Sequence, residues 1–357
     1  MYRVAILGAG IGQAHLDGCL ACKEALQVAW ICDHETSRAR QLAAKTENAR
    51  VTADIEDVLN DKDVDIVTIG LPPHLHVPIS VKALDAGKHV VCEKPIAGSL
   101  TQAEWLRDVM RSSGRLYVPV FQYRYGRSVR QFTEVQKTGF LGKAIIGSLE
   151  VHWNRGADYY SNPWRGTWQT ELGGAIVSHA IHLHDLAELI FGQAVAVTAE
   201  LDTRVNAIET EDCAAITMKM ASGALVTSSV TLGAADNTTR LRLVFEHATV
   251  ESGLNPYAPG EAQWTYTARD PGRQGDLDAL VASAKTTVST QAEGFAGLFH
   301  ELNKALAGTP NRGATLEDGV RSIELASALY EASRTGVRVA LPLDRSLAIC
   351  EGFATHS

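Results

Sequence analysis

The sequence is short of cysteine, of aromatic side chains and of long apolar runs, and each shortage excludes something. Six cysteines in 357 residues are too sparse for a disulfide framework. No apolar run approaches the ~18 residues needed to cross a bilayer. The run Val4-Ala5-Ile6-Leu7, directly behind Met1-Tyr2-Arg3, is too short for the core of a secretory signal. Internal repeats, low-complexity tracts and blocks of like charge are also missing. A cytoplasmic chain with no membrane partner is expected, and a net charge of −8 argues against nucleic acid. Cys19 and Cys22 make a Cys-x-x-Cys pair, but inside an expected helix rather than at its N-terminus, where the dipole would activate a thiol. They read as buried packing.

What is present divides near residue 122. The length suits two domains of ~150 residues each, and 45 % hydrophobic and 21 % charged residues are ordinary for a globular chain. Before the seam, apolar runs at 2–7, 26–32, 64–69, 89–92 and 116–121 read as strands. Segments 14–23, 38–44, 79–86 and 102–111 read as helices. Thr101 and Glu104 have capping-box spacing, while Gly87 and Gly114 stand at C-cap positions. Such alternation means an α/β domain with a parallel, doubly wound sheet over residues 1–122. Beyond it, strand patterns at 145–153, 194–201, 214–220, 224–232 and 241–245 follow one another. Helices are expected at 179–190, 294–307 and 316–335. Residues 123–357 therefore read as an α+β domain with a large, mostly antiparallel open sheet.

The first strand runs into Gly8-Ala9-Gly10-Ile11-Gly12. A glycine-rich turn there lets the backbone and a helix N-terminus approach a pyrophosphate. The third glycine comes one residue early for the full dinucleotide pattern. Asp33, at the end of the second strand and 25 residues after Gly8, suits the two hydroxyls of an adenine ribose and repels a 2′-phosphate. NAD is thus favoured over NADP, although Arg38, one helical turn on, is a possible acceptor of that phosphate.

Two further segments are more specific: Gly70-Leu71-Pro72-Pro73-His74-Leu75-His76, and Gly87-Lys88-His89-Val90-Val91-Cys92-Glu93-Lys94-Pro95. With Gln122-Tyr123-Arg124, Gly173-Gly174…His182…Asp185 and Tyr330–Gly336, they resemble the glucose–fructose oxidoreductase/inositol dehydrogenase/rhizopine-catabolism (Gfo/Idh/MocA) family over nearly the whole chain. The resemblance implies a Rossmann domain whose dinucleotide contacts are Gly8, Gly10, Ile11, Gly12, Asp33, Arg38, Leu71, Pro72, His76, Glu93, Lys94 and Gln122. It implies Lys94 and His182 as catalytic residues, and a homodimer or homotetramer. Independently, Lys94 falls after a parallel strand, at the edge where open α/β sheets hold ligands, and Pro95 keeps it out of the helical region.

At ~100° per residue, Ser178, His179, His182 and Asp185 share one helix face and His184 points away. The family commonly has an aspartate where this chain has Ser178. Asp185 is then left either to orient His182 or to serve packing. A zinc site from His179, His182 and Asp185 lacks a fourth ligand, and no metal is expected. Trp153, Tyr159, Tyr160, Trp164 and Trp168 crowd into 16 residues, with Arg155 and Arg165 interleaved. Aromatic faces suit the C–H surfaces of sugars, and arginine donates to hydroxyls or a carboxylate. The expected substrate contacts are Tyr123, Tyr160, Trp164, Arg165, His179 and Asp185, with Lys94 and His182. The expected activity is hydride transfer from a secondary alcohol of a sugar or cyclitol to NAD, with Lys94 stabilising alkoxide and His182 taking the proton. A lyase, glycosidase or epimerase using NAD for transient oxidation would show the same motifs. So would a non-catalytic dinucleotide-binding regulator, although it would need neither Lys94 nor His182.

Overall fold

The computed structural model describes residues 1–354. The chain divides into two compact units, one of Met1–Phe121 with Phe295–Ile323, the other of Gln122–Gly294 continued from Glu324. Residues 295–323, assigned on sequence to the second domain, therefore pack in the first. The cause is local: Phe299 lies where Gly18 has no side chain, a Cβ there coming within 2.4 Å of its ring, and Phe295 packs 5.1 Å from the buried His15 ring.

In the first unit, strands β1 (Tyr2–Leu7), β2 (Leu26–Cys32), β3 (Arg50–Thr52), β4 (Ile66–Ile69), β5 (His89–Cys92) and β6 (Tyr117–Pro119) form one parallel sheet. Its order, β3-β2-β1-β4-β5-β6, is doubly wound. Val4–Leu7, Ile66, Val67, Ile69 and Val90–Cys92 are wholly buried, as strands covered by helices on both faces must be. The helices within Met1–Phe121 are α1 (Gly12–Leu20), α2 (Thr36–Ala43), α3 (Ile55–Leu59), α4 (His76–Asp85) and α5 (Leu100–Ser113), and the helix Gly294–Leu306 joins them from the later segment. Three-residue β3 and five-residue α3 are too short to show a period in sequence. The N-cap of α5 is Ser99, whose side chain accepts from the Gln102 N–H, and not Thr101. Gly114 ends that helix in the left-handed conformation.

The second unit holds an eight-stranded sheet in the order β13-β12-β11-β7-β10-β9-β8-β14. Its strands are β7 (Ala144–Asn154), β8 (Ala194–Asp202), β9 (Cys213–Met220), β10 (Leu225–Thr231), β11 (Gly233–Phe245), β12 (Ala248–Glu251), β13 (Thr265–Ala268) and β14 (Val339–Ala340). Among the described residues only β7 and β10 of this sheet pair in parallel. Alternation is strict along β9 and β10: Ala214, Ile216, Met218, Val226, Ser228 and Val230 are buried and the residues between them face out. Helices α6 (Arg127–Lys137), α7 (Ala157–Tyr160) and α8 (Ile181–Phe191) belong to this unit. Burial pushes the Cys19 and Cys22 thiols up, and no described cysteine is bridged. Among the described residues no helix is long and apolar enough to cross a membrane.

Candidate active site

Three turns share the carboxyl edge of the parallel sheet: Gly8–Gly12 after β1, Gly70–Leu75 after β4 and Glu93–Pro95 after β5. Gly8 has φ +91°, and a Cβ on it would lie 2.3 Å from the Gly70 carbonyl oxygen, so these turns can touch only through glycine. A Cβ on Gly12 would come within 3.1 Å of Ile6 and 3.3 Å of Leu42, which sets the close seat of α1 on the sheet. Ile11 is the N-cap of α1; no side chain caps the helix and no acid lies in its first turn. Its leading N–H groups and positive end therefore fit a dinucleotide pyrophosphate.

Asp33 closes β2 and is 6 % exposed. Its Oδ2 accepts the Ala9 N–H at 2.7 Å and its Oδ1 the Glu35 N–H at 2.9 Å. The carboxylate thus ties the glycine turn to the start of α2. Arg38 lies beside Gly10 and 3.4 Å from Glu35 Oε1, so its charge is already shared.

His76 is buried at the head of α4. Its Nδ1 lies 2.6 Å from the Pro95 carbonyl and its Nε2 2.8 Å from the Leu71 carbonyl. Carbonyls only accept, so both ring nitrogens donate and the ring is an imidazolium. Burial opposes that charge, but the Cys92 sulfur and the two carbonyls outweigh it and lift the pKa to about 9. His76 clamps the Leu71-Pro72 turn to the Lys94-Pro95 turn, whose peptide is cis. Glu93 Oε1 faces His15 Nε2 at 3.4 Å, and its Oε2 accepts the Lys94 N–H at 3.3 Å. Burial would raise this carboxyl, but His15 first, then Lys94 and His76, hold it below its ordinary value. Lys94 itself is half-buried.

In the second unit a single π-turn, Ile176–Ala180, precedes α8, so the uniform 100° step does not hold across Ser178–His182. Beneath it lies the buried Glu211, which accepts from the Ile176 N–H (2.9 Å), the Gly174 N–H (3.1 Å) and the Tyr330 hydroxyl (2.9 Å). Burial raises its pKa to about 7. A Cβ on Gly174 would fall 1.9 Å from the Glu211 carbonyl oxygen, which is why the helix begins with glycine. His182 is buried and stacked on Tyr123, centroids 4.6 Å apart. His179 meets the edge of Trp153 at 5.0 Å, and its Nε2 lies 3.3 Å from the Tyr159 hydroxyl.

Asp185, left open between His182 and packing, is gripped by Arg124 through Nε at 2.7 Å and Nη2 at 2.5 Å. His184 reaches Ser228 at 3.1 Å, and burial lowers its pKa to about 4, making it a neutral core residue. The Arg165 guanidinium lies 3.9 Å over Tyr159 and 4.1 Å over Trp164, bonded to the Tyr159 hydroxyl and to Glu171. Tyr160 stands edge-on to Tyr159, whereas Trp168 leaves the cluster to pack on Tyr330. Gln122 belongs to this unit, and its Oε1 is buried with no hydrogen-bond partner. Among the described residues no three His, Cys, Asp or Glu side chains gather to hold a metal. Sequence reading missed Glu171, Glu211 and Tyr257; they come from loops with no local pattern, and only the chain's folding brings them here.

The doubly wound sheet with an uncapped glycine turn defines a dinucleotide-binding protein carrying an added α+β unit. The chain belongs to the Gfo/Idh/MocA family: residues 2–121 match an oxidoreductase family with an NAD-binding Rossmann fold, and residues 129–251 match the GFO/IDH/MocA C-terminal domain. D-glucoside 3-dehydrogenase of Escherichia coli K12 is 31 % identical over 193 residues, 53 % of this chain and 54 % of that one. An uncharacterized oxidoreductase of Synechocystis is 28 % identical over 61 % of this chain and 62 % of its own. Across four such relatives the match spans 48–62 % of their length. The WlbA dehydrogenase of Bordetella pertussis, solved with NADH and UDP-GlcNAcA, matches with a TM-score of 0.84 at 25 % identity, over 96 % of this chain and 98 % of that one.

Proposed function

We propose that this protein is an NAD-dependent dehydrogenase acting on a secondary alcohol of a sugar, sugar derivative or cyclitol. One arrangement carries the reading: the glycine turn after β1 and Lys94 after β5 lie on the same carboxyl edge of one parallel sheet, the edge where such folds bind ligands. The sugar-dehydrogenase relative supports the substrate class. NAD, when bound, supplies the hydride acceptor. Gly8–Gly12 and the start of α1 hold its pyrophosphate, and Asp33 its adenine ribose. Lys94, on a turn fixed by His76 and Glu93, binds the substrate hydroxyl and stabilises the charge left on its oxygen. His182, stacked on Tyr123, takes the proton. We further read the outward face of the second sheet, where Ile146 and Leu225 pair in exposed positions, as a self-association surface of a homodimer or homotetramer; light scattering after gel filtration tests it.

The test is NADH formation by the full chain on a panel of sugars, inositols and glycosides. Steady release of NADH is expected, and Lys94→Ala is expected to keep NAD binding while losing most turnover. Product without net NADH favours transient oxidation instead. Tight NAD binding with no turnover on any member overturns the enzymatic reading.

A further inference from the structure

Three arginines bear on the helix of His179 and His182 and its aromatic neighbours. Two are neutralised by buried carboxylates, Arg124 by Asp185 and Arg165 by Glu171. Arg155 differs. Among the described residues no Asp or Glu oxygen comes within ion-pair distance of it; its partners are a backbone carbonyl, an amide, a phenol and three rings.

That side chain is nevertheless held firmly. It follows β7, where its own N–H donates to the Leu232 carbonyl at 2.9 Å. Its guanidinium carbon lies 4.9 Å from the ring centre of Trp153, 5.3 Å from Tyr159 and 5.5 Å from Tyr257. Nη1 donates to the Asn154 carbonyl at 2.7 Å and to Asn237 Oδ1 at 3.2 Å, and Nη2 to the Tyr257 hydroxyl at 3.2 Å. Of the five N–H donors of a guanidinium, these bonds use three. Nε–H and one Nη2–H remain, with a full positive charge behind them. Two of the walls, Trp153 and Tyr159, are also those that touch His179.

We propose that the substrate of this site bears a carboxylate, as a uronic or other sugar acid does, and that Arg155 binds it. The inference rests on the sugar-dehydrogenase reading for the nature of the ring, and on Arg155 alone for the acid. A neutral sugar offers these donors hydroxyl oxygens only; a carboxylate offers two oxygens and the missing counter-charge in the planar geometry that guanidinium prefers. The aromatic rings fix the guanidinium before the ligand arrives, so little side-chain entropy is lost on binding.

The experiment uses the full chain loaded with NADH. Calorimetric binding is compared for matched pairs, each a neutral hexose and its uronate, in the gluco, galacto and manno series, with the hexose 6-phosphate as a third arm. Turnover with NAD is followed on the same compounds. The uronate of at least one series is expected to bind about tenfold more tightly than its neutral partner, the worth of one charge-assisted hydrogen bond. Arg155→Met is expected to collapse that ratio, and Arg155→Lys to restore part of it. Absence of any acid preference, or a ratio unchanged in Arg155→Met, overturns the proposal. A preference for the phosphate over the uronate overturns the carboxylate assignment. Acid-selective binding without NADH formation leaves Arg155 standing and counts against the dehydrogenase reading; NADH formation without acid selectivity does the reverse.

Discussion

The Ser178 hydroxyl donates to Glu171 Oε1 at 2.8 Å, so a carboxylate from the preceding loop meets the helix one turn before His182. The same Glu171 accepts the Gly166 N–H at 2.5 Å and pairs with Arg165 at 3.1 Å, while itself only 2 % exposed. A charge at 178 would be redundant there, and a second carboxylate so near would repel the first.

Glu171→Ala should therefore leave Arg165 uncompensated between its rings, and free Ser178 and the Gly166 N–H. Breaking such a pair from one side costs about 3–5 kcal/mol. Urea midpoints of the variant and the parent measure it. Ser178→Ala should cost only about 1 kcal/mol, one hydrogen bond. Equal losses in the two variants would mean that Glu171 matters through Ser178 alone.

Asp33 accepts the Ala9 and Glu35 N–H groups, and in the function we propose its charge also faces the adenine ribose. Asp33→Asn should fail at both, because an amide NH2 must then face one of those N–H groups. The expected stability loss is about 1–3 kcal/mol, the range for a buried polar group left unsatisfied. Removing the charge should also narrow the preference for NAD over NADP, read from binding of the two dinucleotides to parent and variant. A parent that prefers NADP would sink the ribose assignment.

His76 predicts a pH dependence of stability. Its pKa rises from ~6.5 in the unfolded chain to about 9 in the fold. The folded state binds the extra proton, so the stabilisation is complete below the unfolded value and is lost as pH climbs through about 9. The loss from this group should be on the order of 2–4 kcal/mol. Denaturation at about pH 6 and about pH 9.5 should show it in the parent and not in His76→Gln. Parallel profiles for the two would remove the imidazolium from the account.

The first sheet was legible because buried parallel strands are written as unbroken apolar runs, and the glycine and Glu93-Lys94-Pro95 turns stand directly behind them. The helix of His182 was legible as well, but not its start. A π-turn depends on what fills the space below it, here Glu211, whose place opposite Gly174 no local pattern announces. For the same reason Ser99 rather than Thr101 caps α5: either hydroxyl has a suitable spacing, and the path of the chain into the helix chooses.

The sparse aromatic residues show the division most clearly. Sequence by itself determined that five rings and two arginines lie within 16 residues of one another, since that is a matter of order along the chain. Tertiary structure decided which of them act together. It turned Trp168 away to Tyr330, brought in Tyr257 from a distant loop, and set Glu171 against Arg165 but, among the described residues, no carboxylate against Arg155. Charge compensation depends on distance in space, so a sequence can list the arginines but only the fold can say which of them is left for a ligand.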